Sequence, residues 1–138
     1  MLKRLFTTLG LALFLASPAL AQARPAHSKE PVSGGRPLSQ WIADLKAPAP
    51  QTRNAAAYEI AGMGAEAAAA VPALIQALDD PEASVRFPVT VALMEIGPSA
   101  KAAVPRLQQM VDEDLNDDVA AAARRALKRI DPGAVPTQ

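Results

Sequence analysis

The chain has no cysteine, one histidine, one tryptophan, one tyrosine and three phenylalanines in 138 residues. Without cysteine no disulfide forms, and an acylated-cysteine anchor behind an export signal is excluded. Aromatics make up 4 % of the residues while half of the chain is hydrophobic, with alanine supplying much of that half. The expected core is therefore helices packed closely through small side chains. No β-branched, aromatic-rich run alternates with period two, which argues against a sheet. His27 lies in a proline-rich stretch with no acid held near it. A general base needs fixed geometry and an orienting partner, so histidine catalysis is set aside. There is no glycine-rich phosphate loop, since Gly62 and Gly64 sit at a helix end, and no serine in a nucleophile elbow. The basic cluster at 124–129 lacks aromatic neighbours for base stacking, which argues against nucleic acid. No catalytic residue, metal ligand or cofactor is expected.

The first residues have the three-part layout of a secretory signal. Lys3 and Arg4 give a positive start and Leu5 to Ala16 an apolar stretch. Ser17-Pro18-Ala19-Leu20-Ala21 offers a small-x-small cleavage site, and Ala21-Gln22-Ala23 a second. The apolar stretch is well short of the roughly 20 residues that span a bilayer. Residues 1–21 (or 1–23) are thus expected to be removed, leaving a periplasmic or secreted domain with no stable membrane insertion. The whole chain has 14 basic and 14 acidic residues, and losing Lys3 and Arg4 leaves 12 against 14. A mildly acidic domain has no electrostatic reason to seek nucleic acid or anionic lipid. Residues 24–37, with Pro25, Pro31, Pro37, Gly34 and Gly35, are expected to form a flexible tether. Residues 131–138 are expected to be a disordered tail.

Between these ends lies an internal repeat. Leu38 to Gly64 aligns with Val71 to Gly97 at a shift of 33. Trp41 falls on Leu74, Leu45 on Leu78, Arg53 on Arg86, Ile60 on Leu93 and Gly64 on Gly97. A third copy repeats Val71-Pro72 as Val104-Pro105 and Leu74 as Leu107. After one inserted residue, Val85, Leu93 and Ile96 recur as Val119, Leu127 and Ile130. The repeats are placed at about 38–64, 65–97 and 98–130. Each reads as a short first helix (38–46, 67–78, 100–112) and a longer second one (49–63, 82–96, 116–130). Asp80 is expected to cap the second helix of copy two, with Pro81 at its first position. Asn116 caps that of copy three, with Asp117 and Asp118 near the positive helix end. Ser99 is a further expected cap. Gly64 and Gly97 stand just past helix ends, where a left-handed residue is wanted. Pro88, well inside the second helix of copy two, should kink it or delay its start.

On a helix, residues three and four apart share a face. Val85, Val89, Ala92, Leu93 and Ile96 form one apolar stripe, and Leu74, Ala77 and Leu78 another. One helix pair has too little core to bury such stripes, but stacked pairs bury them continuously, which is the logic of a solenoid. Ala56, Ala57, Ala92, Ala123 and Ala126 let the helices approach. The prediction is an all-α fold, a short α-solenoid (α-α superhelix) of about three helical hairpins.

Val85-Arg86, Ala92-Leu93 and Ile96-Gly97, following Leu78-Asp79-Asp80-Pro81, resemble the HEAT repeat, most nearly the HEAT-like repeats of phycobilin lyase subunits. The likeness covers residues 38–130. It implies that Arg53, Arg86 and the turn aspartate Asp79 brace successive repeats, with Gly64 and Gly97 completing the signature. Copy three departs from it, having Ala120 where the arginine belongs. A tetratricopeptide reading fails because Trp41 lacks the Gly and Tyr that should follow it.

Asp112, Asp114, Asn116 and Asp118 have the alternating spacing of a calcium loop. Asp117 replaces the turn glycine, however, and Ala123 the bidentate glutamate, so a turn with capping acids is expected instead. The sharper expectation is a binding strip on the second helices, where positions off the core stripe should line a concave face. They are Asn54, Tyr58 and Ala61; Phe87, Val91 and Met94; then Ala121, Arg125 and Lys128. Together these readings predict an exported, non-catalytic scaffold that holds a protein partner. An accessory subunit of an enzyme, as the lyase-type likeness implies, and a self-associating structural module are the alternatives.

Overall fold

Helix boundaries follow the proline and asparagine punctuation. Pro50 opens the helix Pro50–Met63 at its first position, after an extended Ala49. Asn116 accepts a hydrogen bond from the Val119 amide at 3.1 Å and so caps the helix Asp117–Ile130. The computed structural model describes residues 30–136. Along them run a two-residue hairpin, β1 (Val32–Ser33) and β2 (Arg36–Pro37), then α1 (Leu38–Asp44), α2 (Pro50–Met63), α3 (Val71–Ala77), α4 (Ala83–Ile96), α5 (Val104–Glu113) and α6 (Asp117–Ile130). Tight 3-10 segments, Gly64–Ala70 and Gly97–Ala103, lead into α3 and α5. The three helical hairpins are α1–α2, α3–α4 and α5–α6. The second helices pack side by side, α2 on α4 and α4 on α6, and the first helices form the other layer.

The predicted stripes are the core. Ile60, Leu74, Leu78, Val85, Val89, Leu93, Leu107 and Leu127 are fully buried, and Ala56, Ala57, Ala92, Ala123 and Ala126 have no exposed surface. Methyl-sized contacts at those alanines set the close approach of α2, α4 and α6, and no larger side chain would fit without displacing a neighbour.

Gly64 and Gly97 have φ 58° and 75° with ψ −136° and −140°. The positive φ is as expected, but the ψ is not that of a left-handed helical cap. It is the mirror-image extended region, which is essentially glycine-only. It turns the chain straight into the 3-10 segment. By length and composition the run Pro50–Ala77 could cross a membrane. It is not one rod, because Gly64 breaks it and Ala67 departs from helical dihedrals (φ −85°, ψ 16°).

Pro88 neither delays nor stops α4, which runs from Ala83 to Ile96. Proline removes the bond to the carbonyl four residues back, which here is that of Ser84. Asn54 of α2 supplies the missing donor, its Nδ2 lying 2.5 Å from the Ser84 carbonyl oxygen. Pro98 leaves the Met94 carbonyl without a helical donor in the same way, and Arg129 Nε of α6 donates to it at 3.1 Å. The gaps that prolines open in α4 are thus filled from the helices on either side.

Two expectations about the ends need correction. The flexible tether expected over 24–37 is not flexible throughout, since 32–37 forms an ordered hairpin. Val32 pairs with Pro37 and Ser33 with Arg36. Gly34 and Gly35 take φ 57° and 75°, as a two-residue primed turn requires. The hairpin is fastened to the first repeat. Trp41 Nε1 donates to the Ser33 carbonyl at 3.0 Å, and Ser33 Oγ donates to Glu59 at 2.5 Å. The Arg36 guanidinium lies 4.0 Å from the Trp41 ring centroid and pairs with Asp44 at 2.9 Å. Residues 24–29 and the expected signal lie outside the described residues. At the other end, Pro132–Ala134 forms a 3-10 turn and Ala134 and Val135 pack on the core. Gln108 Nε2 donates to the Ala134 carbonyl at 2.8 Å. The expected tail is therefore structured through that turn, and the hairpin and the turn each pack on a terminal repeat.

Candidate protein-binding face

Two arginines at equivalent repeat positions dominate the polar interior. Arg53 of α2 grips Asp80 with two parallel bonds, Nε to Oδ2 at 2.6 Å and Nη2 to Oδ1 at 3.0 Å. Its Nη1 donates to the carbonyls of Ala47 and Pro48 at 2.9 and 3.0 Å. Arg86 of α4 repeats the pattern one unit on, with Asp114 at 2.9 Å through both nitrogens and the carbonyls of Asp80 and Pro81 at 2.9 and 3.1 Å. Each aspartate also accepts from the backbone two residues on, Asp80 from Glu82 and Asp114 from Asn116, both at 3.0 Å. Each arginine thus ties the turn of its own repeat to that of the next.

This corrects the choice of turn aspartate. Asp79 joins repeat two to repeat three, but it is not the partner of Arg53 or Arg86. It is largely exposed and pairs with Arg106 at 2.7 Å. Asp80, expected as a helix cap, is the brace instead, and α4 starts behind Glu82 with no side-chain cap. Asp114 is the second brace and was not foreseen. Ser99 caps nothing, because α5 begins after Ala103 without a side-chain cap. The carboxylates hold charge readily. Burial pushes the Asp80 carboxyl up, but the Arg53 hydrogen bonds and the Glu82 amide outweigh it and leave it below the ordinary range. The Arg86 hydrogen bonds hold the Asp114 carboxyl down, against burial, with help from the Asn116 amide. Arg53 and Arg86 are held above the ordinary guanidinium range by their aspartates.

The same contacts dispose of the calcium spacing. Asp114 is committed to Arg86, and the Asn116 oxygen to the Val119 amide. A cleft of about 360 Å³ beside Leu78, Met110 and Leu115 is lined by this arginine pair and by Arg106–Asp79, so its central charges are already matched.

The expected strip divides into three parts. Asn54 is consumed by the Ser84 carbonyl. Ala61, Phe87 and Met94 are partly buried against the core, and Val91 is also half-buried. Tyr58, Ala121, Arg125 and Lys128 are exposed, Tyr58 at 49 %. The structure brings Phe87 and Arg125 together in a groove of about 460 Å³ between α4 and α6, with Ala83, Ser84, Asn116 and Asp118. Arg125 and Lys128 also share a shallow depression of about 390 Å³ on α6 with Asp117, Ala120, Ala121 and Arg124. Among the described residues no side-chain hydrogen bond or ion pair engages Arg125 or Lys128, nor Lys46 at the far end of the stack, whereas Arg36, Arg53, Arg86, Lys101, Arg106 and Arg129 are engaged.

Stacked helical hairpins with an interior arginine and a turn aspartate at each junction define an α-solenoid. The profile of HEAT repeats matches residues 38–128, and the chain belongs to that family. Comparison with curated proteins found no match.

Proposed function

We propose that the protein is an exported, non-catalytic scaffold that holds another protein against the face built by α2, α4 and α6. HEAT repeats generally mediate protein interactions, and this chain is built of them. The observation that carries the reading is that this face keeps side chains the fold does not use. Tyr58 stands half in water, and Arg125 and Lys128 have no hydrogen-bond or ion-pair partner among the described residues. Export is supported by Lys3 and Arg4 ahead of Leu5–Ala16 and the small-residue sites ending at Ala21 and Ala23.

The test is a tagged full-length chain with Tyr58→Asp or Arg125→Glu, both on exposed positions. Each should fold as wild type and capture less of the partner recovered from the exported fraction. Undiminished capture by both variants would sink the face assignment. N-terminal sequencing of the exported protein should begin at residue 22 or 24, and a chain retaining Met1 in the cytoplasm would refute export. The accessory role suggested by the lyase-type likeness would instead appear as a cofactor absorbance in the purified protein.

A further inference from the structure

The charges on α6 are sorted along its axis. Asp117 and Asp118 stand in its first turn, and Lys128 and Arg129 in its last, with Arg124 and Arg125 just before them. That order stabilises the helix itself, since acids suit its positive end and bases its negative end. It also shapes the groove beside it. On the α6 side Asp118 stands near Asn116 and Arg125 two turns further along, and α4 supplies the apolar surface of Phe87 and Ala83 to the same groove. Lys128 lies one turn beyond Arg125, and both line the depression on α6 with Ala121. Arg129 is held by the Met94 carbonyl, so the cations left to meet a ligand here include Arg125 and Lys128.

We infer that the groove between α4 and α6 receives a segment of a partner protein that carries carboxylates to Arg125 and Lys128 and lays an apolar side chain over Phe87. This rests on the scaffold reading above and narrows it to one end of the face and one partner chemistry. Two unengaged cations on neighbouring turns are complementary to two carboxylates spaced by one turn of helix or by alternate residues of a strand. The guanidinium fork favours bidentate binding of one of them. Asp117 and Asp118 decide against a uniform polyanion. A nucleic acid or an anionic bilayer would bring negative charge to the Asp118 end as well as to the Arg125 end. A polypeptide can place its carboxylates at one end of the groove and a neutral or basic residue at the other. Specificity of orientation follows, because the reversed segment would set its carboxylates against Asp117 and Asp118.

The test uses the full-length tagged chain with p-benzoylphenylalanine at position 87 or, separately, at position 58, irradiated in the cells that make it. Adducts are digested and the crosslinked partner peptide is identified by mass spectrometry. The expected result is a position-87 adduct on a peptide with Asp or Glu within a few residues of the crosslink. Its yield should fall about tenfold in R125E/K128E and also fall in R125Q/K128Q, with unchanged thermal melts in both. A position-87 adduct on a peptide without carboxylates, or a yield indifferent to both double variants, overturns the inference and leaves the scaffold reading standing. The absence of any protein adduct at both positions overturns the scaffold reading itself. Purified protein is also tested for co-sedimentation with phosphatidylglycerol vesicles. Binding that R125E/K128E abolishes would assign the cations to lipid and overturn the inference. No binding is the expected outcome.

Discussion

Replacing Arg86 with alanine should do more than remove one ion pair. Four donor contacts disappear, two to Asp114 and two to the carbonyls of Asp80 and Pro81. The Asp114 side chain, only 5 % exposed, is left charged with the Asn116 amide as its remaining hydrogen-bond donor. A partly buried charge stripped of its counter-ion costs about 3 kcal/mol, near the lower end for buried pairs because both partners keep some solvent. At about 4–8 °C per kcal/mol for a domain near 100 residues, the melting temperature should fall by roughly 12–24 °C. The rung also couples repeat two to repeat three. In a stack held by nearest-neighbour contacts, weakening one junction lets the last hairpin open separately. Thermal and urea melts followed at 222 nm should therefore broaden as well as shift, and the apparent urea slope should fall. The Arg86→Ala/Asp114→Ala cycle should return a coupling of about 1.5 kcal/mol or more. Arg125→Ala is the control and should stay within about 0.5 kcal/mol of wild type. A melt of Arg86→Ala within about 3 °C of wild type at neutral pH, or a coupling near zero, would show that the ladder is geometry without energy.

The same rungs fix the acid response. Asp80 and Asp114 titrate below the ordinary carboxylate value of 3.8 in the folded chain. Their contribution is present in full above the unfolded value and is lost as pH falls through the lowered folded values. Urea midpoints should be flat from neutral pH to about 5 and drop steeply below 4, and Asp114→Asn should flatten that drop. Asn54→Ala strips the donor from the Ser84 carbonyl and should cost about 1 kcal/mol in wild type. In a Pro88→Ala background, where the residue 88 amide can bond to Ser84, the same change should cost nearly nothing, and equal costs in both backgrounds would refute the pairing. Gly64→Ala forces φ 58° and ψ −136° on a residue with a Cβ and should lose about 1–3 kcal/mol in the same melts.

The helices were legible because burial imposes a period, and the period survives in Val85, Val89, Leu93 and Ile96 even where a proline interrupts it. The repeat shift of 33 also located Arg53 and Arg86, since their equivalence needs only alignment. The choice between Asp79 and Asp80 was not legible in that way. Adjacent acids in one turn differ only in the direction they point, and that direction depends on α4 starting at Ala83, not at Pro81. Asp114 was hidden by the inserted residue, which moved the third turn out of register with the second. The hairpin was legible and missed. Gly34-Gly35 between Val32-Ser33 and Arg36-Pro37 is a primed-turn signal, but composition suggested a linker and the strands are two residues long. Asn54 was counted toward the partner strip although Pro88 already implied an unpaired carbonyl at Ser84, and a donor from a neighbouring helix is what such a carbonyl needs. The exposed remainder, Tyr58, Arg125 and Lys128, was found by its position off the core stripe.

The ladder points one way. Arg53 reaches forward to the turn of the second repeat and Arg86 forward to that of the third, and the chain stops the series with Ala120 where a third arginine would stand. A directional series of this kind can be lengthened from within. An in-frame duplication of Val71–Ala103 would hand Arg86 a copy of Asp80 to grip, and the duplicated arginine would find Asp114 waiting. Neither the Trp41 hairpin nor the closing turn at Pro132 would be disturbed. Each added unit would lengthen the ladder by one rung and leave the existing rungs paired as they are.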